Sequence, residues 1–558
     1  MKTFDIPMFV TSLFALCLFP GLDIQPVHGD FDFGTPMILG PGINSADGSE
    51  VPGNISSDGL EMYIQWATPE HRWDICLCKR PTPDSDWGPP ENLGPPVSTT
   101  SYVDTHPFIS ADGLSLYFTS DRPGGYGPAD IWMTTRATRE DPWEEPVNLG
   151  PTVNVSNAVD MSPWLSPDGK ELYFESFRDR ANINADIWVA RRETEDSPWG
   201  EPVNLGPPVN TAYDEHGPSL SPDGLLLLFS DHEVREKRPG GYGDSDLWVS
   251  RRPTVHDSWG TPVNLGPMVN GPYRDTRPRL SPDGRTLYFM SRDRPENYGL
   301  KDIWQAPVVP IVDFNGDGRA NGKDVVVLTR HWGESDSVCD IGPYAWGDGI
   351  VDEQDLFALA EYLEKEVTDP TLVAHWALDE AGGTVAYDSA GDNHGTVLGD
   401  AVWLPDGGMV GGALVLDGVD DCVVINPVSE LRVGPFSVLA WVKGGTADQV
   451  IVSCGTTDWL YTNPADGSLM TALSSIAGNG VPLFSDVVIT DNQWHRIALV
   501  WDGTDRILYV DGREAARDEQ VELAVPDAPL IIGAGATANR FFSGQIDDLR
   551  IYRRAVKP

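Results

Sequence analysis

The tetrapeptide Ser-x-Asp-Gly recurs at a regular spacing through the first half of the chain, with its aspartate at Asp58, Asp112, Asp168, Asp223 and Asp283, at intervals of 54, 56, 55 and 60 residues. A period of this size marks stacked supersecondary units and not one continuous core. Behind each Asp-Gly turn comes an apolar segment such as Leu116-Tyr117-Phe118 or Leu172-Tyr173-Phe174, which fits a half-buried strand. A second strand is marked by Asp-Ile-Trp at 130–132, 186–188 and 302–304, with Asp246-Leu247-Trp248 and Asp74-Ile75-Cys76 as variants. Pro-Val-Asn-Leu-Gly at 146–150, 202–206 and 262–266 marks another. Four short strands per repeat predict a blade of a β-propeller. The last repeat stops after Trp304 without its Pro-Val-Asn-Leu-Gly segment, and residues 33–40 near the N-terminus match it. The two ends are therefore expected to complete one blade and to close five blades over residues 30–309 with no free edge.

The Ser-Pro-Asp-Gly of 166–169, 221–224 and 281–284 resembles the WD40-like repeat family found in the propeller of the bacterial TolB-type translocation protein. The resemblance implies the fold; propellers host many functions. Eight residues before each turn aspartate stands an acid, Glu50, Asp104, Asp160, Glu215 or Asp275. If the strand leading into the turn is innermost, these carboxylates ring one mouth of the central channel, with His106 and Arg277 two residues further on. They are then either a cation or polar-ligand site or, because the device repeats in every blade, caps for backbone N–H groups.

Past Pro310 the pattern changes. Asp313, Asn315, Asp317, Asn321 and Asp324 place side-chain oxygens at positions 1, 3, 5, 9 and 12 of a loop, Gly318 stands at position 6, and Arg319 offers its carbonyl at position 7. That is the donor set calcium requires. Val325, Leu328 and Trp332 behind it share one helical face. With aspartate at position 12 the loop resembles those of type I dockerins. A second copy aligned on Asp355 keeps Asp348, Ile350 and Asp352 but has Tyr344 and Trp346 at positions 1 and 3. Either Asp340 reaches in through a longer loop or the copy is a metal-free structural loop. Leu356, Leu359 and Leu363 repeat the helical spacing. Residues 310–367 are thus expected to form a small α module like a divergent dockerin, and the resemblance implies a cohesin-type partner.

Residues 371–558 read as strands throughout. Their landmarks include His375-Trp376, Gly412 to Gly418, Val438 to Val442, Trp494-His495 and Gly544 to Tyr552. This ordered set resembles the laminin-G-like, concanavalin A-type jelly roll, an antiparallel β-sandwich. The resemblance implies glycan binding and calcium, with Asp379, Asp388 and Asp547 as candidate ligands. Trp459 and Tyr461, read as loop residues, are candidates for a sugar face.

The whole is expected to be mainly β. An apolar stretch from Ile6 to Leu22 after Lys2 reads as a signal peptide over residues 1–29. It implies a secreted, extracellular or cell-surface protein, with the periplasm as the alternative. No later segment is apolar enough to span a membrane. A formal charge of −45 disfavours nucleic acid as a partner. The six cysteines form no disulfide framework, although Cys422 and Cys454 could pair. Two functions survive. One is a non-enzymatic, calcium-binding protein that holds a polysaccharide or a surface partner. The other is a glycoside hydrolase using two of Glu50, Asp104, Asp160, Glu215 and Asp275. Near-identical repeats favour binding, because hydrolysis needs carboxyl groups in unlike environments.

Overall fold

The computed structural model describes residues 31–556, apart from 69–70, 179–183, 232–237, 336–338, 366, 368, 370, 429–434, 475–480, 521–522, 524 and 536–538. The expected signal segment lies outside the described residues.

The repeated tetrapeptide makes the same turn each time. Ser56 Oγ donates to Asp58 Oδ1 (2.6 Å), Asp58 Oδ1 accepts from Leu60 N, and Ser56 Oγ accepts from Glu61 N. The same three bonds recur at Asp112, Asp168, Asp223 and Asp283. Two short polar side chains thereby satisfy the N–H groups that a tight turn leaves over. The glycine that follows takes φ between 66° and 77°, which a Cβ would oppose. The asparagine of the third motif donates to the aspartate of the second: Asn92 to Asp74, Asn148 to Asp130, Asn204 to Asp186 and Asn264 to Asp246, at 2.8–3.4 Å.

Each repeat folds as a four-stranded antiparallel meander, for example Asp104–Ile109, Ser115–Ser120, Asp130–Thr135 and Val147–Asn148. In the fifth, the outer strand is Met37–Ile38, with Ile38 opposite Trp304. Asn44 ties this junction by accepting from Ile303 N and donating to Ile303 O. The first strands of the five meanders, Ser49–Ile55, Asp104–Ile109, Asp160–Leu165, His216–Leu220 and Arg274–Leu280, lie side by side in sequence order, and the fifth touches the first. Apolar side chains from neighbouring sheets fill the space between them.

Residues 310–367 carry two helices, Gly322–Arg330 and Glu353–Ala360. Each opens with a capping box, Asn321 with Asp324 and Asp352 with Asp355. Leu328, Ile341, Val351 and Leu359 pack between them. Trp332 does not share this face: the helix ends at Arg330, and Trp332 is 47% exposed.

From Leu372 the chain forms a sandwich of two eight-stranded sheets, mostly antiparallel neighbours. The long strands Phe436–Gly444, Trp494–Trp501 and Ser543–Tyr552 centre one sheet, and Cys422–Ile425, Leu530–Ile532 and Val450–Cys454 centre the other. The core between them includes Trp376, Val438, Trp459, Leu499 and Ile546. Cys422 is a free, buried thiol, so the Cys422–Cys454 pairing is not made; Cys454 Sγ instead faces the carbonyl oxygens of Pro526 and Ala528.

Candidate functional site

The first loop of the small module gathers its acids. Carboxylate oxygens of Asp313, Asp317 and Asp324 lie within 4.8 Å of one another. Backbone donors shape the loop: Asp313 accepts from Asp317 N (3.0 Å) and Gly318 N (2.7 Å), and Asp324 accepts from Phe314 N, Asn315 N and Asn321 N. Burial, with Asp369 and Asp324 adding repulsion, pushes the Asp313 carboxyl up to about 7 even though Arg554 opposes it. Burial also raises Asp324. At Asp317 burial is outweighed by the hydrogen bond and charge of Lys323, which hold its carboxyl below the usual range. Asn315 and Asn321 border Asp317, and the Asn321 amide reaches the Arg319 carbonyl at 3.2 Å. These are hard oxygen donors of the kind that fit calcium.

The second loop repeats the network with an insertion. Asp340 accepts from Asp348 N (2.9 Å) and Gly349 N (2.8 Å), as Asp313 does from its own loop. Asp355 accepts from Ile341 N, Gly342 N and Asp352 N, as Asp324 does. Asp340 therefore occupies the place of position 1, eight residues before Asp348 where the first loop has four. Ile350 N donates to Asp348 Oδ1. Among the described residues, these acids do not come together as a three-carboxylate cluster. Tyr344 and Trp346 bulge outward, stacked at 4.9 Å, onto the repeats. Trp346 Nε1 meets Asp223 Oδ2, Arg251 donates to the Trp346 carbonyl, and Phe31 packs edge-on against the indole.

The five repeated acids are completely buried and do not line the central cavity, which corrects the expected ring at its mouth. Arginines neutralise four of them: Arg122 with Asp104 (2.8 Å), Arg178 with Asp160 (2.6 Å), Arg238 with Glu215 (2.6 Å) and Arg294 with Asp275 (3.0 Å). Each guanidinium also lies over the aromatic rings of its own sheet and bonds the carbonyl of Val97, Val153, Val209 or Val269. Burial still lifts Glu215 to about 7 against the pull of Arg238, and it raises Asp275. Glu50 accepts from Ser45 and Trp66, and burial pushes it up to about 7. The Arg-Pro dipeptides at 122, 238 and 294 were the sequence signal for this device.

One residue after each repeated acid stand Val51, Thr105, Met161, His216 and Thr276, and all five line the central cavity. Two residues after each acid stand Pro52, His106, Ser162, Gly217 and Arg277, of which His106 and Arg277 line the cavity and the last four take positive φ at a strand irregularity. Seven residues after each turn aspartate stand Gln65, Thr119, Glu175, Ser230 and Met290. Gln65, Thr119 and Glu175 accept from the backbone N of His106, Ser162 and Gly217 in the next repeat. The last two of these positions differ from repeat to repeat, a variation visible in the sequence. Glu175 is buried against Arg277 (2.8 Å) and His216 (3.4 Å). Burial alone would raise its carboxyl, but Arg277 and His216 hold it well below the usual range. Burial and Arg277 drive the His106 imidazole far down, so it is neutral.

In the sandwich, Asp547 accepts from Met409 N and Val410 N, and Asp379 accepts from Gly412 N in the same loop. Burial raises Asp547 to about 6, with Asp548 and Asp379 adding to it. Asp388 is engaged elsewhere, by His375 N, Ala390 N and Asn393 N. The three do not form one cluster among the described residues; Asp400, Asp420 and Asp421 do. Trp459 and Tyr461 lie on the strand Thr457–Thr462 and not in a loop. Trp459 is wholly buried against Phe436, and Tyr461 is buried under Arg540, so neither presents a sugar face.

No helix among the described residues is long and apolar enough to cross a membrane. No curated protein matches the chain. Among solved structures, a Trypanosoma rangeli sialidase bound to the inhibitor DANA aligns over 94% of this chain and 92% of its own, at 11% identity and a TM-score of 0.42. Domain 4 of an extracellular arabinanase from Geobacillus stearothermophilus, in complex with arabinotriose, covers 33% of this chain and 94% of its own, at 21% identity and a TM-score of 0.25. The binding domain of Paraclostridial Mosquitocidal Protein 1 covers 33% and 49%, at 15% identity and a TM-score of 0.28. Residues 417–558, the larger part of the C-terminal sandwich, match the model of the concanavalin A-like lectin/glucanases superfamily, a jelly-roll match over those residues.

Proposed function

We propose that this is a secreted, non-catalytic glycan-binding protein, built from a five-bladed propeller (30–309), a calcium-stiffened dockerin-like joint (310–367) and a lectin-type jelly roll (371–558). The match of residues 417–558 to the concanavalin A-like lectin/glucanases superfamily carries the glycan reading. The oxygen set of Asp313, Asp317 and Asp324 supports calcium. Bound there, the ion would offset two of the three carboxylate charges and stiffen the loop that the jelly roll grips.

The joint reading replaces a cohesin partner. Arg496 and Tyr552 donate to the Gly316 carbonyl (2.9 and 3.2 Å), and Arg554 donates to the Asp313 carbonyl (2.7 Å). On the opposite side Trp346 is seated on the repeats. Both loops of the module are thus engaged inside the chain. Ion pairing of four of the five repeated acids supports binding over hydrolysis, because a general acid or nucleophile must reach its substrate.

The test is retention of the mature protein on an array of plant, algal and bacterial polysaccharides, with calcium or with chelator, together with an assay for released reducing sugar. Retention without sugar release is expected. Sugar release that disappears in Asp104→Ala or Glu215→Ala, with the fold intact by circular dichroism, would replace this reading with the hydrolase.

A further inference from the structure

We infer that Asp400, Asp420 and Asp421 form a second calcium site, which clips together two crossovers between the sheets of the jelly roll. The site lies wholly within the sandwich and depends on neither the Asp313 loop nor the glycan reading.

The topology brings the two crossovers together. Residues 399–401 leave the strand Gly395–Leu398 of one sheet and enter Val402–Leu404 of the other, and residues 418–421 return from Ala413–Asp417 to Cys422–Ile425. Leu398 lies opposite Cys422 and Val402 lies opposite Val415, so the crossovers run side by side near one edge of the sandwich. Gly399 permits the close approach. Its φ is 84°, and a Cβ there would collide with Asp421 Oδ1 and lie 3.0 Å from the Asp420 carbonyl oxygen.

At this contact, carboxylate oxygens of Asp400, Asp420 and Asp421 lie within 4.8 Å of one another. Two oxygens on opposite sides of a calcium ion are about 4.6–5.2 Å apart, twice the Ca–O distance, so such spacings suit one ion. Asp400 and Asp420 are exposed, and exposed acids alone do not make a site. Asp421 is different. It is 1% exposed, and although its Oδ2 accepts from Asp417 N (2.9 Å), its Oδ1 is buried with no hydrogen-bond partner among the described residues. A buried carboxylate oxygen left without a donor needs an ion or a water. Burial raises the Asp421 carboxyl, and the Asp417 and Asp400 carboxylates add to this against the pull of the backbone N–H groups of the same two residues. Among the described residues no Lys, Arg or His pairs with Asp400, Asp417, Asp420 or Asp421. A hard divalent cation therefore finds uncompensated oxygen ligands where the two sheets meet. With two of its three carboxylates exposed, the site belongs with weak surface sites, at about 0.1–1 mM, and fills only above the concentrations that saturate an enclosed loop such as that of Asp313.

The experiment is equilibrium dialysis of the full chain against calcium from about 0.01 to 5 mM, with Asp313→Asn taking the first loop out of the count. That variant is expected to bind one ion per chain in this range. Adding Asp400→Asn and Asp420→Asn is expected to weaken binding about tenfold or more. Adding Asp84→Asn and Asp86→Asn instead, at two exposed acids of the repeats, removes the same charge and is expected to leave binding unchanged. Equal weakening by both pairs would reduce the calcium to diffuse counterions, and no ion bound in this range would leave the Asp421 oxygen to water; either result overturns the proposal. Magnesium bound as tightly as calcium would overturn the assignment to calcium. Amide exchange over 398–402 and 417–422 is expected to slow about tenfold when calcium is added, and unchanged exchange with the ion bound would overturn the clip.

Discussion

Trp346 Nε1 donates a 2.7 Å hydrogen bond to Asp223 Oδ2, so an indole in the small module is held by the turn aspartate of the fourth repeat. The indole is fully buried. Replacing Trp346 by Ala is expected to cost ~3–5 kcal/mol, the range for truncating a buried aromatic. Trp346→Phe keeps most of the packing and loses the bond, at about 1–2 kcal/mol. Chemical denaturation curves compare the two, and equal stability of Trp346→Ala and wild type would show that the contact contributes nothing.

The calcium reading predicts ligand-linked stability. Calcium at about a hundredfold above its dissociation constant should add ~2.7 kcal/mol. Asp313→Asn is expected to abolish this increment, whereas Asp340→Asn in the second loop leaves most of it. Thermal melts with calcium and with chelator read both effects. A full increment surviving in Asp313→Asn would remove the first loop as the site.

The repeated ion pairs should behave as buried pairs do. Asp160→Ala leaves Arg178 enclosed without its carboxylate, at a cost of ~3–5 kcal/mol. The exposed pair between Arg139 and Asp58 serves as the control, and Arg139→Ala is expected to cost less than about 1 kcal/mol. Urea unfolding of the two variants makes the comparison.

Glu50 differs from the other four repeated acids. Burial raises its carboxyl to about 7, its Oε2 has no hydrogen-bond partner among the described residues, and nearby Asp302 adds repulsion. A carboxyl raised in the folded state holds its proton more tightly there than in the unfolded chain. Its contribution is therefore fully present below the unfolded value near 4.5 and is lost as pH rises through about 7. Glu50→Gln is expected to flatten the fall in melting temperature between pH 5 and 8 and to be the more stable protein at pH 8. Parallel slopes for variant and wild type would show that Glu50 does not titrate in this window.

Trp459 offers a test of core against sugar face. Trp459→Ala empties the centre of the sandwich and should cost ~3–5 kcal/mol. Trp459→Phe is expected to retain polysaccharide binding. Loss of binding in a folded Trp459→Phe protein would return the indole to the sugar site.

The local chemistry of the chain was legible from its residues. Ser-x-Asp-Gly specifies its turn because the side chains, backbone donors and left-handed glycine all lie within six residues, and the four near-equal intervals announce five such units. Pairing of residues 37–38 with the strand ending the fifth repeat was equally readable, since the missing motif could be found by inspection. The oxygen spacing of Asp313 to Asp324 likewise sits in one short loop. The repeated acids were found, but their direction was not: whether a strand side chain faces an axis or a neighbouring sheet depends on an irregularity in register and on an arginine 18 to 23 residues away. Trp459 was misread because a strand at the centre of a sandwich and an exposed aromatic loop have similar composition. Tyr344 and Trp346, which broke the metal pattern of the second loop, acquire a reason only when the repeats are brought against them. Short-range hydrogen bonding determined the turns and the acidic loop of Asp313 to Asp324 from sequence alone. The tertiary structure decided which charges are buried, which face the axis and which loops join domains, because those depend on contacts between residues far apart in the chain.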